Sequence, residues 1–324
     1  PEPNYGTQLQ DFSIKGHKSE GNIQIKYEEV DVLLSDNELA TLRKPNYNIV
    51  NLSYGPMHPE TLISARIAPP MIGLGLLEMI TEVDILAQAD PDDLNNDGIS
   101  GRPAWSRNMS TQNLQLGRFG WKAGQPTLDQ QNQVAFNGDI GLSTPQQSAP
   151  SGDCTINQST CLWAPSGDSV QYEDREVGQI MTDLVLFYTQ NLAVPARRNV
   201  GDETVLAGKK LFYETGCVTC HKASYTTGAD DNKKALSNQK IWPYTDLLLH
   251  DMGEGLADNR SEGVASGREW RTPPLWGIGL TQMVNGHSQF LHDGRARGFL
   301  EAILWHGGEA QVTKQKVIEM TSVQ

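Results

Sequence analysis

The clearest chemical signal in the chain lies in residues 216–221 (GCVTCH), which form a C-x-x-C-H motif. Cysteines with this spacing can each add to one vinyl group of a haem, and the histidine that follows can then bind the iron. A redox dithiol and one half of a zinc site are the alternatives. The first usually occurs in a thioredoxin-like context, which we do not find, and the second needs another closely spaced cysteine pair. The motif therefore predicts covalent haem c at Cys217 and Cys220, with His221 as an iron ligand.

Five side chains downstream of this motif have the chemistry of a second iron ligand: His250, Met252, His287, His292 and His306. Met252 follows an apolar run and precedes a glycine, so its thioether sulfur could be held against a haem. His306 ends the apolar segment 299–306, which we expect to form a helix whose end faces the haem. The residues alone leave the choice among these five open.

The two remaining cysteines, Cys154 and Cys161, bear on where the protein resides. Haem attachment of this kind takes place outside the reducing cytoplasm, so we expect a periplasmic or otherwise exported bacterial protein. In an oxidising compartment a local disulfide between Cys154 and Cys161 is the natural prediction, and two free thiols are the alternative. No signal peptide is visible and Pro1 is not an initiator methionine, so we expect a mature or trimmed chain.

Residues 93–100 (DLNNDGIS) resemble the first half of a calcium-binding loop. Oxygen-bearing side chains alternate at Asp93, Asn95 and Asp97, and a glycine follows where such a loop turns sharply. The twelfth position is Ala104, so the bidentate glutamate of a complete loop is missing. A possible calcium site and an acidic turn with local hydrogen bonds are therefore both compatible with the pattern.

Composition restricts the class of protein and of partner. The 324 residues carry a formal net charge of −13, which argues against nucleic acid as a partner. No run approaches the about 18 apolar residues of a membrane-spanning helix. Helical periodicity in 173–192, 203–215 and 299–306, beside a strand-like segment at 23–30, predicts a mainly α fold with long irregular loops. We expect a loop-rich domain over residues 1–199 and a second domain over residues 200–324.

Several segments resemble one known family. They are residues 5–12 (YGTQLQDF), 68–78 (APPMIGLGLLE), 117–123 (GRFGWKA), 244–258 (YTDLLLHDMGEGLAD), 268–279 (REWRTPPLWGIG) and 290–310 (FLHDGRARGFLEAILWHGGEA). Together they resemble the di-haem oxidoreductases, also called thiol oxidoreductases. These are related to the bacterial di-haem cytochrome c peroxidases and the MauG-like enzymes. The resemblance covers nearly the whole chain.

The resemblance implies cytochrome c-like haem domains in a di-haem peroxidase-like architecture, with residues 200–324 as one cytochrome c domain. It places His306 at the axial position, ahead of Met252. The family carries an earlier C-x-x-C-H motif upstream of Tyr5 that this sequence lacks. We therefore expect either a truncated chain of a protein with two haems, whose first haem packs on residues 1–199, or a family member that has lost one haem. His58 would then be a candidate distal ligand or acid–base group of that first haem.

The resemblance also suggests how the haem is held and what it does. Four arginines in the matching segments could pair with its propionates: Arg268, Arg271, Arg295 and Arg297. The implied function is electron transfer through covalent haem in a periplasmic oxidoreductase, with peroxidase-type chemistry at a second haem and a redox protein as donor or acceptor. A non-catalytic electron carrier or haem accessory protein, for example in iron handling, is the alternative. A weaker reading makes Cys154 and Cys161 a redox pair.

Overall fold

A computed structural model describes residues 1–321 of the chain. Helices make up 28% of the structure and strands 16%, so the predicted mainly α fold is wrong. Its nine helices, as far as residue 321, are short: α1 Leu74–Glu78, α2 Glu82–Leu86, α3 Leu128–Ile140, α4 Ser159–Leu162, α5 Gln179–Asn191, α6 Glu203–Thr215, α7 Thr281–Asn285, α8 Phe299–Trp305 and α9 Gln311–Ile318. The excess of strand comes largely from one long hairpin near the N-terminus.

The strands of the described residues form four antiparallel pairs. They are β1 Asn22–Leu33 with β2 Leu39–Val50, β3 Trp105–Arg107 with β4 Leu114–Leu116, β5 Tyr225–Thr226 with β6 Lys240–Ile241, and β7 Leu249–Asp251 with β8 Glu269–Arg271. The predicted strand at 23–30 lies within β1 and is confirmed. The other pairs have two or three residues per strand, too few for an alternating apolar pattern to be visible in the sequence.

Sequence periodicity located some helices better than others. α6 has the predicted bounds 203–215, whereas α5 begins at Gln179, six residues later than expected. α3 was missed because its sequence is rich in amides and several of them are buried, among them Gln130 and Gln133. The side chain of Thr127 caps its start by accepting a hydrogen bond from the amide of Gln130. The last of these helices, α9, ends at Ile318.

Two apolar clusters hold these elements together. The first packs α1, α2 and the start of α3 against a buried loop, and it includes Leu77, Ile85, Leu128, Leu247 and Leu248. The second packs β2 against α8 and β8 through Leu42, Leu304, Trp305 and Trp270. Each cluster combines side chains from before and after residue 199. The domain boundary at that residue stays a prediction.

Candidate haem site

The C-x-x-C-H motif lies directly after α6. The Asp202 side chain caps the start of this helix by accepting hydrogen bonds from the amides of Thr204 and Val205, at 2.9 and 3.2 Å. The helix ends at Gly216, whose φ of +98° is a left-handed conformation that favours glycine. A single 3-10 turn over Cys217–Thr219 follows. This tight turn keeps both half-buried thiols beside the helix end.

The His221 ring is oriented by a backbone carbonyl. Its Nδ1 donates to the carbonyl oxygen of Tyr244 at 2.9 Å, while Nε2 has no hydrogen-bond partner within residues 1–321. Tyr244 itself has a φ of +55°, an uncommon conformation for a tyrosine that costs roughly 1 kcal/mol or more. Burial lowers the pKa of His221 to about 4. The hydrogen bond to Tyr244 raises this pKa, but its effect is smaller than that of burial. His221 is therefore neutral, with the Nε2 lone pair available to a metal.

His306 has the same arrangement. It follows the last residue of α8, and its Nδ1 donates to the carbonyl oxygen of Ala302 at 2.7 Å. Its Nε2 has no partner among the residues that the structure describes. Burial lowers the pKa of His306, and a charge on His306 would lower the pKa of His221 further, so the two rings lie within electrostatic range of each other. The structure thus brings together two neutral imidazoles, and neither Nε2 has a partner within residues 1–321.

The other four candidates for a second iron ligand have different surroundings. Met252 packs against the second apolar cluster. His250 has both ring nitrogens bonded to carboxylates, and His292 is stacked on Trp270 with 3.7 Å between ring centroids. His287 accepts a hydrogen bond from the amide of Gln289 at its Nδ1.

His250 lies beside the motif in a cluster of charges. Its Nε2 is 2.8 Å from a carboxylate oxygen of Asp246, and its Nδ1 is 2.6 Å from one of Glu309 and 3.6 Å from the Cys220 sulfur. Burial lowers the pKa of His250, but the two carboxylates outweigh burial and raise it well above the usual value. The pKa of the Glu309 carboxyl changes in the opposite direction. Burial raises it, but the hydrogen-bond partners of Glu309, of which His250 has the largest effect, lower it below its usual value. His250 is a buried imidazolium.

The four arginines proposed for the propionates differ in whether they already have an acidic partner. Arg295 pairs with Asp293, Arg268 with Asp251 and Glu254, and Arg297 with Glu301. Arg271 forms no salt bridge in the described part of the chain; its Nε donates to the carbonyl oxygen of Gly120. Burial lowers its pKa to about 10. Arg271 is therefore the arginine of this group best suited to an anionic partner.

The predicted calcium loop is folded on itself. The Asp93 carboxylate accepts hydrogen bonds from the amides of Asp97 and Gly98, and the Asp97 carboxylate accepts one from the Asn95 side chain. Asn95 and Asp97 are exposed, and Asp93 is partly exposed. Hydrogen bonds of this kind belong to the acidic-turn alternative, and calcium stays a prediction.

His58 lies on an exposed loop close to the N-terminus. Its amide donates to Glu2, and its Nδ1 accepts from the amide of Glu60 at 3.2 Å. Both contacts lie at the protein surface. The role of His58 at a first haem stays a prediction.

The comparison with known families decides the assignment. The model of the family described as "di-haem oxidoreductase, putative peroxidase" matches residues 7–324. The chain belongs to the di-haem oxidoreductase family. No curated protein and no solved structure matches the chain significantly. Membership confirms the resemblance of the sequence segments and supports a haem cofactor, a haem oxidoreductase role and redox partners.

The residues of this di-haem oxidoreductase fit a haem. Two thiols one turn apart and an adjacent imidazole are the groups that attach haem c. Within residues 1–321 both His221 and His306 leave Nε2 without a partner, and Arg271 is a buried arginine without a carboxylate. The Phe212 ring, 6.3 Å from the His221 ring, adds an aromatic wall. Within residues 1–321 no helix is both long and apolar enough to cross a lipid bilayer.

Cys154 and Cys161 form a disulfide, as predicted. The bridge closes a short loop beside Asp153, whose carboxylate accepts hydrogen bonds from Thr7 and from the amide of Gln8. The disulfide thus stabilises the region on which the N-terminal segment packs, in a part of the chain with little apolar core.

Sequence reasoning missed three residues of the site: Tyr244, Asp246 and Glu309. Tyr244 contributes only its carbonyl oxygen, for which a sequence carries no signal. Asp246 and His250 are four residues apart, within a segment that resembles the family, but nothing in the spacing predicts a partner 59 residues downstream at Glu309.

Proposed function

We propose that this di-haem oxidoreductase attaches one haem c at Cys217 and Cys220 and holds its iron between His221 and His306. The matching state of the two histidines carries the proposal: each donates Nδ1–H to a backbone carbonyl, and its Nε2 has no partner in the described part of the chain. A hydrogen bond from the second nitrogen is how proteins fix the tautomer of a metal-binding histidine. Met252 packs against apolar neighbours, which supports His306 over Met252 as the second ligand.

A haem with two histidine ligands exchanges single electrons and has no open position for a substrate. Two nitrogen ligands also give a lower potential than histidine with methionine. The haem at Cys217 and Cys220 is thus an electron relay, and peroxidase-type chemistry would occur at a second haem of the full protein. The protein would work in the periplasm with a redox protein as donor or acceptor. Arg271 would pair with a propionate.

The chain's own groups have defined tasks at such a site. Tyr244 and Ala302 hold the two imidazoles in the tautomer that presents Nε2. Burial keeps both rings neutral, so protons do not compete for Nε2 near pH 7. The disulfide between Cys154 and Cys161 then has a structural task.

The test uses the full natural protein, made with haem attachment, and counts covalent haem by mass and by pyridine haemochrome. Replacing both cysteines (C217S/C220S) should abolish one covalent haem. H306A should convert that haem from low-spin to high-spin, whereas the matched control M252L should leave the spectrum unchanged. A spectrum that responds to M252L and not to H306A would contradict the proposed ligand. Only six-coordinate haem in the full protein would favour the non-catalytic carrier.

A further inference from the structure

The buried cluster of Asp246, His250 and Glu309 connects the two sides of the haem site. His250 lies against Cys220, at the attachment motif. Glu309 lies three residues after His306, the proposed second ligand. His250 Nδ1 lies 2.6 Å from a Glu309 carboxylate oxygen and 3.6 Å from the Cys220 sulfur. His250, on β7, therefore links the attachment motif to the segment that carries His306.

Glu309 is anchored by more than this contact. Its carboxylate also accepts hydrogen bonds from the Ser100 hydroxyl at 2.6 Å, from the Ser100 amide at 3.2 Å and from the Asp251 amide at 3.1 Å. Four donors on one half-buried carboxylate fix its position, because each would be lost or weakened by a shift of the chain.

The chain between His306 and Glu309 is short and tightly packed. It consists of Gly307 and Gly308, and Gly308 has a φ of +52°. A Cβ added at Gly308 would collide with the carbonyl oxygen of Asp251, so this segment lies flat against β7. Fixing Glu309 therefore limits how far the backbone of His306 can move.

A metal site is the competing interpretation of this cluster. Ligand atoms of Cys220, Asp246 and His250 lie within 4.8 Å of one another and could in principle surround an ion. Two arguments speak against it. Under the proposed attachment the Cys220 sulfur forms the haem thioether, and both His250 nitrogens already lie against carboxylate oxygens. The cluster is better explained as a link between protein segments than as a set of ligands.

We propose that the His250–Glu309 pair holds His306 in place on the iron, so that weakening this pair opens the sixth position to external ligands. This inference rests on the proposed ligation by His221 and His306. His250 and Glu309 are then positioning residues, which bind no iron themselves. Release of His306 would then change the haem from an electron relay to a ligand-binding centre, with neither His221 nor His306 replaced.

The test compares E309Q with E301Q in the full haem-loaded protein. Glu301 lies on α8, five residues before His306, and pairs with exposed Arg297 at 2.6 Å, so it is a matched carboxylate in the same segment. E309Q should raise the high-spin fraction and increase the apparent affinity of the reduced haem for carbon monoxide by roughly tenfold, because affinity scales with the fraction of binding-competent haem. Added imidazole should restore the low-spin spectrum. E301Q should behave as the wild type.

S100A provides a milder change, in case E309Q does not fold. It removes one donor to Glu309 and should shift spin state and carbon monoxide affinity in the same direction by a smaller amount. A low-spin spectrum and wild-type affinity in folded E309Q or S100A would overturn the inference, as would stoichiometric zinc beside the iron in the wild type. H306A, measured in parallel, separates the two proposals. If H306A stays six-coordinate, the ligand assignment itself has failed.

Discussion

His250 and His292 are both buried, yet they have opposite charge states. His250 is 2% exposed and lies between the carboxylates of Asp246 and Glu309, which raise its pKa well above the usual value. His292 is 5% exposed and stacked on Trp270, and burial lowers its pKa to about 4. The carboxylate nearest to it in the described residues, of Asp293, is 3.7 Å away.

The difference lies in what the neighbouring carboxylates are bonded to. Asp293 accepts hydrogen bonds from Arg295 and from the Tyr47 hydroxyl, so its charge is already compensated. Asp246 and Glu309 face His250 directly and form no salt bridge with an arginine or lysine of residues 1–321. Burial disfavours a charged imidazole in both places, and the penalty is overcome where carboxylates at hydrogen-bond distance have no arginine or lysine partner in the described residues. The charged histidine belongs to the proposed haem site, and the neutral one belongs to a packed core.

The largest effect is expected from removing one charge beside His250. Asp246→Asn keeps the shape of the side chain but leaves the buried imidazolium with one carboxylate, and breaking a buried ion pair in this way costs about 3 kcal/mol or more. Urea denaturation of the haem-loaded protein measures the change. E301Q, at an exposed pair, should cost less than about 1 kcal/mol. Equal losses for the two variants would mean that His250 is not charged in the folded protein.

The next effect concerns pH and His292. In the unfolded chain this histidine takes up a proton near pH 6.5, whereas the folded protein resists protonation down to about pH 4. The unfolded state therefore binds more protons between these values, and stability falls as the pH falls from 6.5 to 4. The two and a half pKa units correspond to about 3 kcal/mol at most.

Stability measured at several pH values in wild type and in H292F isolates this contribution. Phenylalanine keeps the stacking on Trp270 and cannot titrate, so H292F should lose about 3 kcal/mol less than the wild type over this range. Above pH 7 the two pH profiles should run parallel. If both proteins lose the same stability between pH 6.5 and 4, His292 is not held neutral by burial.

A smaller effect is expected from the partner that compensates Asp293. The Tyr47 hydroxyl donates to this carboxylate at 2.7 Å, and Y47F removes that hydrogen bond without removing the ring. A hydrogen bond to a charged group contributes about 1.5 kcal/mol or more to stability. The released carboxylate should also raise the pKa of His292, which histidine NMR can follow. An unchanged His292 titration in a destabilised Y47F would show that Tyr47 acts only by packing.

Local patterns accounted for part of this molecule. The C-x-x-C-H motif, α6 before it and the disulfide at Cys154 and Cys161 involve residues close together in the chain, and the structure contains α6 and the disulfide as predicted. The helix content was overestimated because strands of two or three residues have no visible period. In addition, the predicted strand at 23–30 pairs with β2, a long strand that was not predicted. The helix α3 was not predicted because its buried face carries amide side chains instead of the apolar stripe that marks an amphipathic helix.

The sequence by itself determined that haem chemistry is available, since thiol spacing and the adjacent histidine are local properties of six residues. Only the tertiary structure decided which histidines carry charge and which keep a free nitrogen. His250 owes its charge to Glu309, 59 residues away, and His221 owes its tautomer to a carbonyl 23 residues away. The electrostatic energy of a buried group depends on the atoms that surround it in space, and folding brings those atoms together from distant parts of the chain.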